Sequence, residues 1–231
     1  PHPDSVNKEM DYMLSFAKAN PEMERFLLLR FVNRYYSQRY MWEDAVFVHL
    51  YEKYFATNPP SWLSEQGKKT ITDRAYSLMA NIFGSPATEI QLPDSTGKSI
   101  SLYGLKNEYA LVIFWDPLCG HCKETLPKID SVYQLRWKGQ GLGVYAVAKE
   151  NEGTREDWLK FIRDKNLGHW SHVYYSKEAE KARVSNNVPG YSQLYDVQSF
   201  PTLYLLDKDK RIVAKKLSFE QIDEILQLKL K

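Results

Sequence analysis

Through the first third of the chain, apolar residues recur at intervals of three and four with polar and charged residues between them, the spacing of one buried helical face. A first helix is predicted from Asp4 or Ser5 to Lys18, ending near Asn20-Pro21. A second starts at Pro21, in the favoured first position, with Glu22 and Glu24 following and Phe26, Leu29, Val32 and Tyr36 on its apolar face. Phe47, Leu50, Tyr51, Tyr54 and Phe55 mark a third before the Asn58-Pro59-Pro60 break. The fourth carries Ile71, Ala75, Leu78, Met79 and Ile82 and is expected to close on Gly84 as a C-terminal cap. Four helices of this kind predict a small bundle or a helical cap on the next domain.

After Ser85-Pro86 the pattern shifts to short apolar runs. Thr88–Leu92 and Lys98–Leu102 flank Pro93-Asp94-Ser95-Thr96-Gly97 and read as a hairpin. Tyr109–Phe114 is apolar without alternation, as in a strand covered on both faces, and it leads into a helical pattern that runs past Leu126. Pro127 removes one backbone hydrogen bond from that helix and should kink it. A strand at Gly141–Ala148, a helix at Thr154–Lys165 with Trp158, Phe161 and Ile162 on one face, and a short strand at Val173-Tyr174-Tyr175 come next. Beyond a loop at Asn186–Gly190, Thr202–Leu206 and Arg211–Lys215 form a second hairpin, and Ser218 caps a last helix with Ile222, Ile225, Leu226 and Leu228 as its apolar face. The expected fold is α/β, a central mixed sheet flanked by helices, preceded by a small all-α domain, with domains at 1–84 and 85–231.

The 231 residues allow two small domains with real cores, and sixteen Tyr and six Trp supply much of the apolar bulk. A net charge of +2 argues against nucleic acid as an obligatory partner. Arg25, Arg30, Arg34 and Arg39 interleave with Tyr35, Tyr36 and Tyr40 as on a nucleic-acid surface, but Glu22, Glu24, Glu43 and Asp44 dilute them. No apolar run reaches the roughly 18 to 20 residues that span a bilayer. The chain begins at Pro1 rather than Met and reads as trimmed, which leaves room for a membrane tether in an untrimmed form.

The candidate chemistry is Cys119-Gly120-His121-Cys122, which holds the only two cysteines and lies where a strand hands over to a helix. The unpaired N–H groups and positive dipole at a helix start favour a thiolate on Cys119, and a protonated His121 would add a positive charge between the sulfurs. A thiolate is the nucleophile of disulfide exchange, and Cys122, one turn on, is placed to resolve the mixed disulfide. A purely structural disulfide here would close a tiny loop and stabilise little. His169 and His172 with the two cysteines could suggest a zinc site, but their gap of two residues is shorter than the usual three to five, so no metal and no other cofactor is expected. His2 and His49 read as solvated or structural.

These residues resemble the thioredoxin superfamily, and most of all its TlpA/ResA-like thiol-disulfide oxidoreductases. The likeness covers roughly Ser85 to Lys231 and rests on Phe114-Trp115, the Cys119–Cys122 motif, Pro127 five residues later, and Phe200-Pro201-Thr202 before a strand. The opening hairpin resembles the start of TlpA/ResA and peroxiredoxin-like chains. The resemblance implies a cis Pro201 beside the cysteines, with Phe200 pairing with a substrate strand and Trp115 contacting substrate, while Gly120, His121 and Pro201 support the dithiol. The Gly-His pair is that of protein disulfide isomerase domains and goes with a more oxidising or isomerising poise than Gly-Pro. Where thioredoxin carries a buried proton-accepting aspartate this chain has Ile113, and where ResA-like members carry a glutamate it has Thr125, so Glu124, Glu150 or water is left to take the Cys122 proton. Peroxiredoxins place Thr or Ser where Asp116 stands, which argues against peroxide turnover. The implied partners are protein thiols and disulfides and an upstream redox protein, and the implied location is the bacterial cell envelope, the periplasm of a Gram-negative cell. Similar helical segments precede the thioredoxin-like domain in some envelope proteins. A substrate-docking or dimerising role is expected of this one, and a binding protein of the holdase type is the alternative.

Overall fold

All four predicted N-terminal helices form, and their starts explain their positions. In α1 (Pro3–Ala17) proline occupies the first turn and the His2 ring nitrogen accepts from the Asp4 N–H. The Asn20 side chain accepts from the Glu22 and Met23 N–H groups at 3.0 and 3.2 Å to open α2 (Pro21–Tyr36), and Ser64 caps α4 (Glu65–Met79) through the Gly67 N–H. Between them α3 (Glu43–Tyr54) places Glu43 and Asp44 in its first turn. The computed structural model describes residues 2–229, and the chain divides into two units, Pro1–Phe83 and Gly84–Lys231.

Met10, Leu14, Leu28, Val32, Phe47, Leu50, Ile71 and Leu78 meet in the core of the helical unit. Glu43 is fully enclosed there and accepts from the Arg34 guanidinium and the Arg39 N–H. Burial alone would raise its pKa, but Arg34 and the backbone donors outweigh that and hold it below the usual carboxylate range. Two expectations need correction. The buried face of α2 is Leu28 and Val32, and Phe26 is 56% exposed, because α1 and α3 approach a stripe rotated from the one the spacing suggests. Gly84 does not cap α4: the helix ends at Met79, where the Asn81 amide satisfies the Ser77 carbonyl. Gly84 instead has φ of 83°, and its N–H donates to the Ile212 carbonyl in the second unit.

The second unit is built on a five-stranded sheet in the order β5-β4-β3-β6-β7. Strand β3 (Tyr109–Trp115) runs parallel to β4 (Leu142–Lys149), which is parallel to β5 (Ser171–Tyr175). On the other side β3 is antiparallel to β6 (Thr202–Asp207), and β6 to β7 (Ile212–Lys215). A separate hairpin pairs β1 (Gln91–Pro93) with β2 (Ser99–Ser101), its turn held by the Asp94 carboxylate accepting from the Thr96 and Lys98 N–H groups. Ala110, Val112 and Phe114 point into one core with Tyr145, Tyr195 and Tyr204, and by the period-two alternation of a strand Leu111, Ile113 and Trp115 face the other way. All six are fully buried, which explains the unbroken apolar run. The tyrosines carry hydroxyls into this interior, and each finds an acceptor: Tyr145 donates to the Ile100 carbonyl at 2.8 Å, Tyr195 to that of Thr88 and Tyr204 to that of Tyr195.

Helix α5 (Gly120–Val132) follows β3 and keeps Pro127 inside it. It runs on into a π-helical turn at Tyr133–Trp137, closed by the Lys138 N–H on the Tyr133 carbonyl, which no pattern in the sequence announces. That turn aims the Trp137 indole N–H at Asp223 of the last helix, 2.7 Å away. Helix α6 (Arg155–Asp164) has a reciprocal Thr154/Asp157 capping box. Helices α7 (Lys177–Ser185) and α8 (Tyr191–Leu194) bridge β5 to β6, and α9 (Phe219–Lys229) closes the chain. Ile222 and Leu226 are the buried positions of α9, while Leu228, expected on that face, is 72% exposed near its end.

Candidate active site

Strand β3 delivers the chain to a turn that begins at Asp116, and the turn delivers Cys119 to the first position outside α5. Cys119 is the helix N-cap: its backbone is extended, its carbonyl accepts the first helical N–H from Lys123 at 3.1 Å, and its own N–H donates to the Asp116 carbonyl at 3.1 Å. Its side chain makes no capping bond. The sulfur lies 3.5 Å from the Phe200 carbonyl oxygen, to which the thiol donates across 81 positions of sequence. Both cysteines are free thiols, Cys119 half-buried and Cys122 0% exposed. Burial pushes the Cys122 thiol far up from its ordinary value, with smaller effects from the neighbouring Cys119 and Asp116. One sulfur is therefore open to a partner and the other is held in reserve behind it.

The Phe200-Pro201 peptide is cis, and the pair sits directly before β6. The Phe200 N–H has no hydrogen-bond partner among the described residues, so one edge of this segment is unpaired. Pro201 also lines a cleft of about 480 Å³ together with Thr125, Lys128, Ser199 and Ser218. Gly120 and His121 are exposed, and a side chain added at Gly120 would meet nothing within 4 Å. Leu118, 42% exposed beside Cys119, adds an apolar rim that no sequence motif marks.

Trp115 is a correction. The resemblance puts it at the substrate surface, yet it is 0% exposed, with its ring 5.0 Å from that of Phe161 on α6. Period-two alternation of β3 turns it inward, so it supports the active-site turn from beneath. The two suggested proton acceptors are also elsewhere: Glu124 is exposed, and Glu150 accepts from the Lys177 N–H. The carboxylate that lies against the dithiol is Asp116, 1% exposed. Its Oδ1 accepts from the Leu118 N–H at 2.7 Å, its Oδ2 from the Glu152 N–H at 2.7 Å, and both oxygens are 3.3 Å from the Gly153 N–H. The side chain-to-backbone turn from Asp116 to Leu118 is the one signal in the sequence that could have singled it out.

The histidines do not converge on the cysteines. His169 pairs with Asp130, and His172 is buried against Trp170 with its Nε2 on the Leu167 carbonyl. Enclosure lowers the His172 pKa to about 4, leaving a neutral ring. His49 joins Lys53 and Tyr54 around Asp11 in the helical unit. Among the described residues no group of three or more His, Cys, Asp or Glu is placed to hold a metal ion, and no helix is long and apolar enough to cross a membrane.

Residues 83–215, more than half of the chain, match the model of the AhpC/TSA family. The chain belongs to that family. Among curated relatives, the thiol-disulfide oxidoreductase ResA of Bacillus cereus is 28% identical over 145 residues, covering 62% of this chain and 74% of ResA. Of solved structures, a domain of a possible thiol-disulfide isomerase from Cytophaga hutchinsonii is 35% identical with a TM-score of 0.53, over 64% of this chain and 97% of that one. A thioredoxin-like protein from Bacteroides caccae shares the fold over 98% of this chain and 77% of its own, with a TM-score of 0.73 at 21% identity. This member of the AhpC/TSA family has a thioredoxin-like fold and is a thiol-disulfide oxidoreductase.

Proposed function

We propose that Cys119 and Cys122 carry the exchange, with Cys119 as attacking sulfur and Cys122 as resolving sulfur, and that the substrates are disulfides or dithiols of other proteins in the bacterial cell envelope. The observation that supports the roles is the contrast between the two thiols: one half-exposed at a helix start, the other fully enclosed a turn later. In the reducing direction Cys119 attacks a substrate disulfide and displaces one substrate thiolate, which takes up a proton. Cys122 then attacks Cys119 and releases the second substrate sulfur, so two electrons and two protons pass to substrate and the enzyme is left as its disulfide. An upstream redox protein would restore the dithiol.

The unpaired Phe200 N–H beside Pro201 supports docking of an extended substrate segment by strand addition, with Leu118 and the cleft past Pro201 receiving its side chains. Gly120 and His121 form the exposed rim. An envelope location, periplasmic in a Gram-negative cell, draws its support from the TlpA/ResA-like resemblance. Insulin reduction tests the reading: the full chain accelerates it with dithiothreitol present, and Cys119→Ser abolishes the acceleration. Equal turnover by Cys119→Ser would refute the assignment. An isomerising or oxidising activity is favoured by the Gly-His pair, and titration of the dithiol against glutathione separates it from reduction. A holdase-type role is suggested by Tyr12, Phe16 and Phe26, all more than half exposed on the helical unit. A chain lacking both cysteines would then still suppress aggregation of an unfolded client.

A further inference from the structure

The segment that carries Phe200 is held at both ends by one lysine. Lys216 follows β7, and its N–H donates at 2.7 Å to the carbonyl of Leu203, on the strand that leaves Pro201. Its ammonium pairs with the carboxylate of Asp196, just past the end of α8 and ahead of Phe200. Asp196 also accepts from the Gln198 amide at 2.9 Å, and its own N–H donates to the Gln193 carbonyl at 3.0 Å. Inside the loop the Thr202 hydroxyl donates to the Ser199 carbonyl at 2.6 Å. Entry and exit of the loop from Asp196 to Leu203 therefore meet at Lys216. Backbone preference does not explain these two residues: Asp196 has φ of 43° and Lys216 φ of 56°, the left-handed region that glycine takes without strain. The Asp196 side chain is only 4% exposed, so its charge depends on its partner, while that of Lys216 is 33% exposed. Both residues line the cleft of about 480 Å³ beside Pro201. An exposed ion pair stabilises little, but this one joins an enclosed carboxylate to two strained backbone positions against the segment that bears the docking edge.

We propose that Lys216 and Asp196 are positioning residues for substrate docking: their ion pair fixes the loop so that the Phe200 edge stands ready beside Cys119, and it thereby favours extended protein segments over small disulfides. This rests on the strand-addition reading of the Phe200 N–H. The edge and the attacking sulfur are already close, since the Cys119 thiol lies 3.5 Å from the Phe200 carbonyl. A substrate segment that pairs with a fixed edge loses only its own freedom on docking, whereas an unfastened loop must be ordered in the same step, at a cost in affinity. A small disulfide reaches the Cys119 sulfur without pairing and does not draw on the loop. The pair acts through the loop rather than on the sulfurs, so its effect falls on KM for a protein substrate and on discrimination between the two substrate classes.

The test compares kcat/KM of the full chain for insulin with that for hydroxyethyl disulfide. Lys216→Gly accepts the left-handed backbone, keeps the N–H for Leu203 and removes the ammonium. The ratio of insulin to small-disulfide kcat/KM is expected to fall about tenfold in this variant, through KM for insulin, and equally in Asp196→Asn, which keeps the side chain's shape without its charge. Combining the two should lower the ratio no further, and Lys216→Arg, which retains a cation, should hold it near the parent value. Should Lys216→Gly fail to fold, Asp196→Asn carries the same expectation. An unchanged ratio, an equal slowing of both substrates, or a Lys216→Arg chain as impaired as Lys216→Gly would overturn the assigned role. A parent chain with no preference for insulin would remove the docking reading and this role with it, and one that does not reduce insulin at all would sink the exchange reading.

Discussion

Replacing Tyr145 by Phe removes one oxygen from the interior of the thioredoxin-like unit and nothing else. That hydroxyl donates to the Ile100 carbonyl at 2.8 Å and lies 3.2 Å from the Ile90 carbonyl, tying β4 to the hairpin that precedes the sheet. The residue is fully buried, so the variant loses a hydrogen bond that water cannot replace, at a cost of about 2 kcal/mol at neutral pH. Enclosure also raises the tyrosine pKa far above its ordinary value of 10.0. The sign follows from linkage: a group whose folded pKa is raised contributes stability that is complete below the unfolded value and is lost as pH climbs through the folded one. Above pH 10.0 the parent therefore loses about 1 kcal/mol per pH unit through Tyr145, and the Phe variant does not. Parent and variant should differ by about 2 kcal/mol at neutral pH and by about 1 kcal/mol one unit above pH 10.0. Urea unfolding followed by tryptophan fluorescence reads this unit, because Trp115, Trp137 and Trp158 are its fully buried indoles. The other buried tyrosines titrate in both proteins and cancel in the difference. A gap that stays constant or widens with pH would refute the reasoning.

In the helical unit, Glu43→Gln keeps the side chain's shape but uncouples it from Arg34, and should cost about 2 kcal/mol at neutral pH. Because the Glu43 pKa is depressed, that deficit should close as pH falls below the unfolded value of 4.5, which acid titration of unfolding can follow. His172, with its pKa lowered to about 4, must gain a proton on unfolding below 6.5, so parent stability should fall as pH drops from 6.5 towards 4, with a slope about one proton steeper than in His172→Phe. Equal slopes would mean that His172 is charged in the fold. An Asp223→Asn change takes the charge that Arg136 meets while leaving an oxygen for the Trp137 N–H, and hydrogen exchange in the π-helical turn and α9 should rise together.

The strand, the turn and the first helical residue of the active site can be read from the chain because each is a local event. An unbroken apolar run means two covered faces, and Tyr109–Trp115 proves to be the middle strand of five. The closeness of Phe200 to Cys119 can be anticipated only through family resemblance, since nothing in the spacing of residues 81 positions apart brings them together. Asp116 escapes notice for a related reason. Asp-Pro after a strand reads as an ordinary turn until the Glu152 N–H, 36 positions on, closes over the carboxylate. Adjacency of Trp115 to the motif suggests adjacency to substrate, whereas the pleat decides which way the ring points. On α2 the three-and-four spacing permits two neighbouring stripes, and the packing of α1 and α3 selects Leu28 over Phe26. The π-helical turn has no residue signature of its own and is set by where Trp137 must reach Asp223.

The pairing of one open sulfur with one enclosed sulfur is tested most directly by trapping. Full chain carrying Cys122→Ser, mixed with a disulfide-bonded protein and resolved without reductant, should accumulate a covalent adduct that reductant releases and that disappears when Cys119 is also replaced. No adduct, or one that persists without Cys119, would contradict the account.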